Sequence, residues 1–161
     1  MWQDLIDVLT KLCNAYDGLT KIGEKKRAAL VTIDMDGLSK ILDEEQIAAA
    51  RIQALEKKRG AILNELSKSA RPRITYGRAE EFYHHAPTPA IEKKLLALHQ
   101  LLTVNVEEAL ELRDNNQILA QSALNAVNFH LNRLSGAAVE PTYGSKGGDI
   151  VTHQKKFDFR A

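Results

Sequence analysis

PAIEKKLLALHQLLTVNVEEALELRDNNQILAQSALNAVNFHLNRLS, residues Pro89–Ser135, is the longest unbroken helical pattern in the chain. Apolar residues recur at Ile91, Leu95, Leu98, Leu102, Ala109, Leu112, Leu119, Ala123 and Ala126. This is the 3,4 alternation of a heptad seam, with Asn105 and Asn116 interrupting it. Thr88 suits the N-cap, Pro89 the first helical position, where a missing N–H is harmless, and Gly136 the stop. One helix over 89–135 follows, roughly 70 Å long at 1.5 Å per residue.

Its second half is unusual. From Asn115 to Asn132 there is no Asp, Glu, Lys or Arg, in a chain that is 27% charged. Asn115, Asn116, Gln117, Gln121, Asn125, Asn128 and Asn132 fill the polar positions, and Ile118, Leu119, Leu124, Val127, Phe129 and Leu131 lie between them. Their spread exceeds the stripe of roughly 100° that packing on one neighbour requires. Loss of charge around apolar and aromatic side chains marks the core of a protein interface, since a buried amide is satisfied more cheaply than a buried ion. The surface is therefore one to be covered: by a different protein, by the chain's own helices, or by a second copy.

Outward from that helix, Trp2, Leu5, Leu9, Leu12, Tyr16, Leu19 and Ile22 step by 3 and 4, predicting a helix over 2–31. Gly23 weakens its middle by up to about 1 kcal/mol relative to Ala. Asp34 caps a second helix, 34–69, carried by Leu38, Ile41, Ala48, Ile52, Leu55, Ile62 and Leu66 and ended before Pro72. Glu45 and Arg59 fall at seam positions, where they either pair or snorkel. The two- or three-residue link makes these helices an antiparallel hairpin. Residues 70–88 form a long connector with a short helix at 79–84, and the third long helix is long enough to overhang the other two at one end. The expected fold is all-α: an antiparallel bundle of three long heptad-patterned helices over 1–136, then an irregular tail, 137–161. Pro141, Gly144, Gly147 and Gly148 break helical periodicity in that tail, which carries Tyr143, Phe157 and Phe159. Such a segment either adds extended structure or orders on a partner through its aromatic anchors.

The totals exclude several classes. With 161 residues the chain fits one domain that needs no disulfide or metal to fold. The 22 basic and 21 acidic residues nearly cancel, which removes the electrostatic case for nucleic acid. Charge is uneven locally: residues 34–50 hold five acids and one Lys, whereas 51–78 hold eight bases and two acids. Arg71, Arg73 and Arg78 are either a solvated loop or a patch for an acidic partner. The single Cys13 fits a reducing cytosol as a small buried hydrophobe, and the short apolar runs predict neither a secretion signal nor a membrane span.

Chemistry is sparse. Glu81-Phe-Tyr-His84 has the Glu-x-x-His spacing of di-metal bundles, but those use two such motifs and this chain has one, so Glu81, His84 and His85 read as loop residues. His99 and His130 are too far apart on one helix to share a ligand. The 144–148 stretch lacks the order of a phosphate loop. Neither catalysis nor a cofactor or metal is expected.

The sequence resembles the FlgN-type flagellar export chaperones. The likeness rests on the three heptad helices, on Asn116-Gln-Ile-Leu-Ala-Gln-Ser122 through Val127-Asn128-Phe129, on Pro141-Thr-Tyr-Gly144 with Gly147, and on Phe157-Asp-Phe159. It implies a cytoplasmic chaperone of flagellar type III export that acts without catalysis. Such a chaperone holds hook–filament junction proteins of the FlgK and FlgL type unpolymerised and brings them to the export gate and export ATPase. By that likeness Tyr143 contacts export machinery and the later part of the third long helix binds cargo. The residues expected to hold a cargo helix are Leu119, Ala123, Leu124, Val127, Leu131 and Leu134, with Phe157 and Phe159 as tail anchors. The alternative is a structural, homo-oligomeric helical adaptor in which that helix zips onto its twin.

Overall fold

The computed structural model describes residues 1–69 and 78–136, and the backbone of 139–143 and 149–153. Among the described residues four helices appear in chain order: α1 (Trp2–Thr32), α2 (Met35–Ser69), the short α3 (Ala79–Tyr83) and α4 (Pro89–Leu134). Two strands follow, β1 (Val139–Tyr143) and β2 (Asp149–His153). The chain divides into two compact units, Met1–Gln117 and Ile118–Ala161.

Capping fixes the helix ends. Ile33 turns the chain out of α1 with φ 52° and ψ 45°, and its N–H reaches Leu30 O at 3.3 Å. The Asp34 carboxylate then accepts from Gly37 N–H at 3.0 Å, satisfying one of the free donors that open α2. Thr88 Oγ1 does the same for Ile91 N–H at 3.3 Å, and Gly136, at φ 62°, ends α4.

Within the first unit, α1 and α2 run antiparallel from that tight link. Lys25 faces Glu44 at 3.5 Å and Lys26 faces Glu45 at 2.7 Å, both close to the turn. Glu45 thus sits at the seam because it is paired, and Arg59 likewise bonds Glu56 at 2.8 Å. The seam of α4 lies along α1 in the same sense: Leu98 and Asn105 meet Cys13, and Asn116 meets Gly23. Direction therefore alternates along the chain, α2 against α1 and α4 with α1.

The two asparagines do not interrupt the seam; they belong to it. Asn105 Nδ2 donates to Cys13 O at 3.0 Å and Asn116 Nδ2 to Gly23 O at 2.8 Å. Positions 105 and 116 are about three helical turns apart, as are 13 and 23, so a slip of α4 along α1 breaks both bonds together. Each bond is worth about 1 kcal/mol, and the pair selects one register from several that leucines alone would accept. Gly23 is explained by the same contact. A Cβ there would lie 2.8 Å from Leu112 Cδ2, so the missing side chain lets α4 approach.

The core of this unit joins Leu5, Leu9 and Leu12 of α1, Leu63 and Leu66 of α2, and Leu95 and Leu102 of α4. Phe82 and Tyr83 of α3 are also in it, both fully buried. Phe82 stacks on Trp2 with ring centroids 5.4 Å apart, and Tyr83 meets His99 edge-on at 5.7 Å. The connector was expected to carry a short helix at 79–84; α3 is that helix, and beyond linking the long helices it drives two rings into the end of the bundle. Cys13 is 3% exposed and its thiol points at Leu98 O at 3.6 Å, with burial raising its pKa.

The Tyr83 hydroxyl is buried, and among the described residues nothing bonds to it. Burial pushes its pKa above 10.0, opposed by Arg59 and reinforced by Glu80 and Glu56. A raised phenol pKa means the folded state keeps its proton longer than the unfolded state, so this contribution to stability is intact below about pH 10 and is lost as pH rises through the folded value. Tyr83→Phe removes an unbonded buried O–H without opening a cavity. Its stability at pH 7 should equal the parent's or exceed it by up to about 1 kcal/mol. Its loss of stability above pH 10 should be smaller, as read from urea titrations at pH 7 and pH 10.5.

In the second unit, β1 pairs antiparallel with β2, Val139 opposite His153 and Tyr143 opposite Asp149. The tail is thus not wholly irregular, as Pro141 and the glycines had implied. Both strands of a two-stranded ladder are edges, which accommodate a proline. Arg71, Arg73, Phe157 and Phe159 lie outside the described residues.

Candidate functional site

From Ile118 to Leu134 α4 contains no buried residue. Leu119, Ala123 and Val127 are half-buried; Leu124, Leu131 and Leu134 are exposed by 53%, 47% and 83%. At about 100° per residue these six fall within one arc of about 140°. Leu119, Ala123 and Val127 form an i, i+4 ridge along one edge, and Leu124 and Leu131 lie along the other. Asn128, Gln121, Asn132 and Asn125 follow on the next sector, all exposed, with Gln121 Nε2 bonded to Asn125 Oδ1 at 3.0 Å. Asn116 alone of the seven amides is buried, held on α1, and so leaves the surface it was read into.

Two apolar residues of the charge-free stretch lie outside the six expected to hold a cargo helix. Ile118 and Phe129, 65% and 59% exposed, stand beyond the amide sector as a second apolar strip. The Arg133 guanidinium lies over the Phe129 ring at 6.0 Å, and His130 meets its edge at 5.7 Å. The signal was present in the spread of apolar residues around the helix, wider than one packing stripe. Exposed apolar surface of this kind on a helix is what a docking partner covers. Tyr143 ends β1, opposite Asp149; its side chain, with Phe157 and Phe159, lies outside the described residues.

In the first unit, a groove of about 560 Å³ lies over Tyr16 and Leu19 of α1, walled by Leu42 and Ala49 of α2 and by Leu110 and Leu112 of α4. Its ionisable groups are already engaged: Lys26 holds Glu45 at 2.7 Å, and Arg113 holds Asp114 at 2.9 Å. His84, part of the Glu-x-x-His spacing, pairs with Glu92 at 2.6 Å rather than with Glu81. Among the described residues no three metal-ligating side chains converge, and no helix is long and apolar enough to cross a membrane.

A charge-free apolar arc on the last long helix, after two heptad helices in chain order, is the pattern on which the resemblance was read. A family model described as FlgN protein matches residues 1–149. The chain belongs to the FlgN family. That is a family of flagellar export chaperones, and membership carries that role and points to hook-associated proteins as what is bound. The match spans α1 through α4 and the first strand, so the apolar arc lies within the FlgN region. No curated protein and no solved structure matches the chain.

Proposed function

We propose that this FlgN-family protein is a cytoplasmic chaperone that binds hook–filament junction proteins of the FlgK and FlgL type and delivers them to the flagellar export gate. The amphipathic helix of a junction subunit lies on the arc formed by Leu119, Ala123, Leu124, Val127, Leu131 and Leu134. While it lies there it cannot pack against another subunit, so the cargo stays unpolymerised. The observation that supports this reading is the exposure of that uncharged arc in a chain of an export-chaperone family. The role needs binding alone, without catalysis or cofactor. Neutral amides beside the arc keep the surface wettable when empty and cost less to desolvate than ions when covered.

Tyr143 contacts the export gate in this proposal, and the export ATPase is a further partner. Phe157 and Phe159 add anchors from the tail. Binding and delivery then separate. Tyr143→Ala should bind junction protein within about twofold of the parent, as expected for a residue outside an interface, yet fail to restore secretion of that protein and motility in a chaperone-deletion strain. Equal loss of binding and secretion would place Tyr143 in the cargo surface instead.

A further inference from the structure

On the face of the first unit away from the α2–α4 groove, α1 and α2 form a shallow groove of about 330 Å³ with a pattern that nothing so far explains. Gly18 lies in its floor, in the interior of α1. A Cβ built there meets nothing within 4 Å, unlike Gly23, where α4 presses close. A helix-interior glycine costs up to about 1 kcal/mol relative to Ala, and the fold of one copy gains no contact from it. Ala15 extends the same small-residue floor, and Ala48 faces it from α2. Beside this hollow stands Ile47, 72% exposed. Hole and knob sit on one face.

The charges on that face are arranged about a centre. Glu44 and Arg51, both exposed, lie the same distance before and after the Ile47–Ala48 peptide. Glu44 has only a long 3.5 Å contact with Lys25, between side chains that are 50% and 63% exposed, and among the described residues Arg51 has no acidic partner. We infer that this face pairs with the same face of a second copy about a dyad that passes between the two α2 helices at the level of the Ile47–Ala48 peptide. The two α2 helices then run antiparallel. Glu44 of each copy meets Arg51 of the other, and Ile47 of each lies over the Ala15–Gly18 floor of the other. A dyad requires such reciprocity, residue i on j and j on i, and opposite charges placed symmetrically about a centre provide it. The groove is short, so the contact belongs with small, transient interfaces, with a dissociation constant of roughly 10–100 µM. It uses no residue of the apolar arc and does not rest on the proposed function.

Sedimentation equilibrium of the full chain, from about 5 µM to about 500 µM to span that range, tests the inference. The parent should pass from monomer to dimer. Gly18→Leu fills the hole and improves helix propensity, so it should weaken dimerisation at least about tenfold while its melting temperature stays level or rises. A misfolded variant cannot give that combination. Glu44→Arg should weaken dimerisation, and Glu44→Arg with Arg51→Glu should restore it. A parent that remains monomeric throughout overturns the inference. So does a dimer that tolerates Gly18→Leu, a charge reversal that the second reversal fails to rescue, or a dimer lost in Leu124→Asp, which would place self-association on α4.

Discussion

Phe82→Ala should lower the stability of the first unit by about 3–5 kcal/mol, the range for truncating a fully buried phenylalanine. The ring has no exposed surface, stacks on Trp2, and belongs to the cluster that joins Leu5 and Leu9 to Leu63, Leu66 and Leu95. Removing it therefore opens a cavity where α1, α2 and α4 all meet, not one on a single helix pair. Rigid helix backbones surround the site on several sides, which limits collapse and favours the upper part of the range. Melting temperature should fall by roughly 10 °C or more. The control is Glu81→Ala: its neighbour in α3 is exposed, and exposed sites usually change stability by no more than about 0.5 kcal/mol. Thermal melts followed by circular dichroism decide it. A loss no greater than that of the control would mean that α3 covers the bundle without being part of its core.

That cluster marks where reading by periodicity stops. The three long helices were legible because a heptad seam repeats many times, and because Asp34, Thr88 and Gly136 are capping and stopping residues in the right places. Five residues of α3 contain barely one turn and carry no period. Whether Phe82 and Tyr83 are buried depends on Trp2 and His99, remote in sequence, so local pattern left them in a connector. Asn116 shows a different failure. A neutral amide that pins one helix on another and a neutral amide that faces water are the same residue type, and only the three-turn spacing to Asn105 distinguished them. In the tail, Pro141 and the glycines outweighed the β-branched run Ile150-Val151-Thr152, although a proline on an edge strand breaks no ladder. The candidate site was legible for the opposite reason. Absence of charge over a long helical stretch is a property of composition, independent of where neighbouring elements pack.

The second large effect concerns that stretch. Leu124 and Leu131 are 53% and 47% exposed, so placing carboxylates there costs the fold little: neither side chain leaves a cavity, and both charges remain in water. A bound amphipathic helix changes the balance. Two carboxylates would then be trapped against its apolar face with no cation on that arc, since α4 carries none between Arg113 and Arg133 and Arg133 turns toward Phe129 on the other side of the helix. Interface leucines at the centre of such a contact are worth about 2 kcal/mol each, and the buried charges add to the loss. Leu124→Asp with Leu131→Asp should therefore weaken cargo binding roughly 100-fold or more with an unchanged melting temperature. A stability loss in step with the binding loss would instead mean that the arc is part of the fold.

The most direct measurement is titration calorimetry of a purified hook–filament junction protein into the parent chain and into Leu124→Asp/Leu131→Asp. Saturable binding to the parent and none detectable to a variant that melts at the parent's temperature is the predicted result. Equal affinity for both would contradict the assignment of cargo to the charge-free arc of α4.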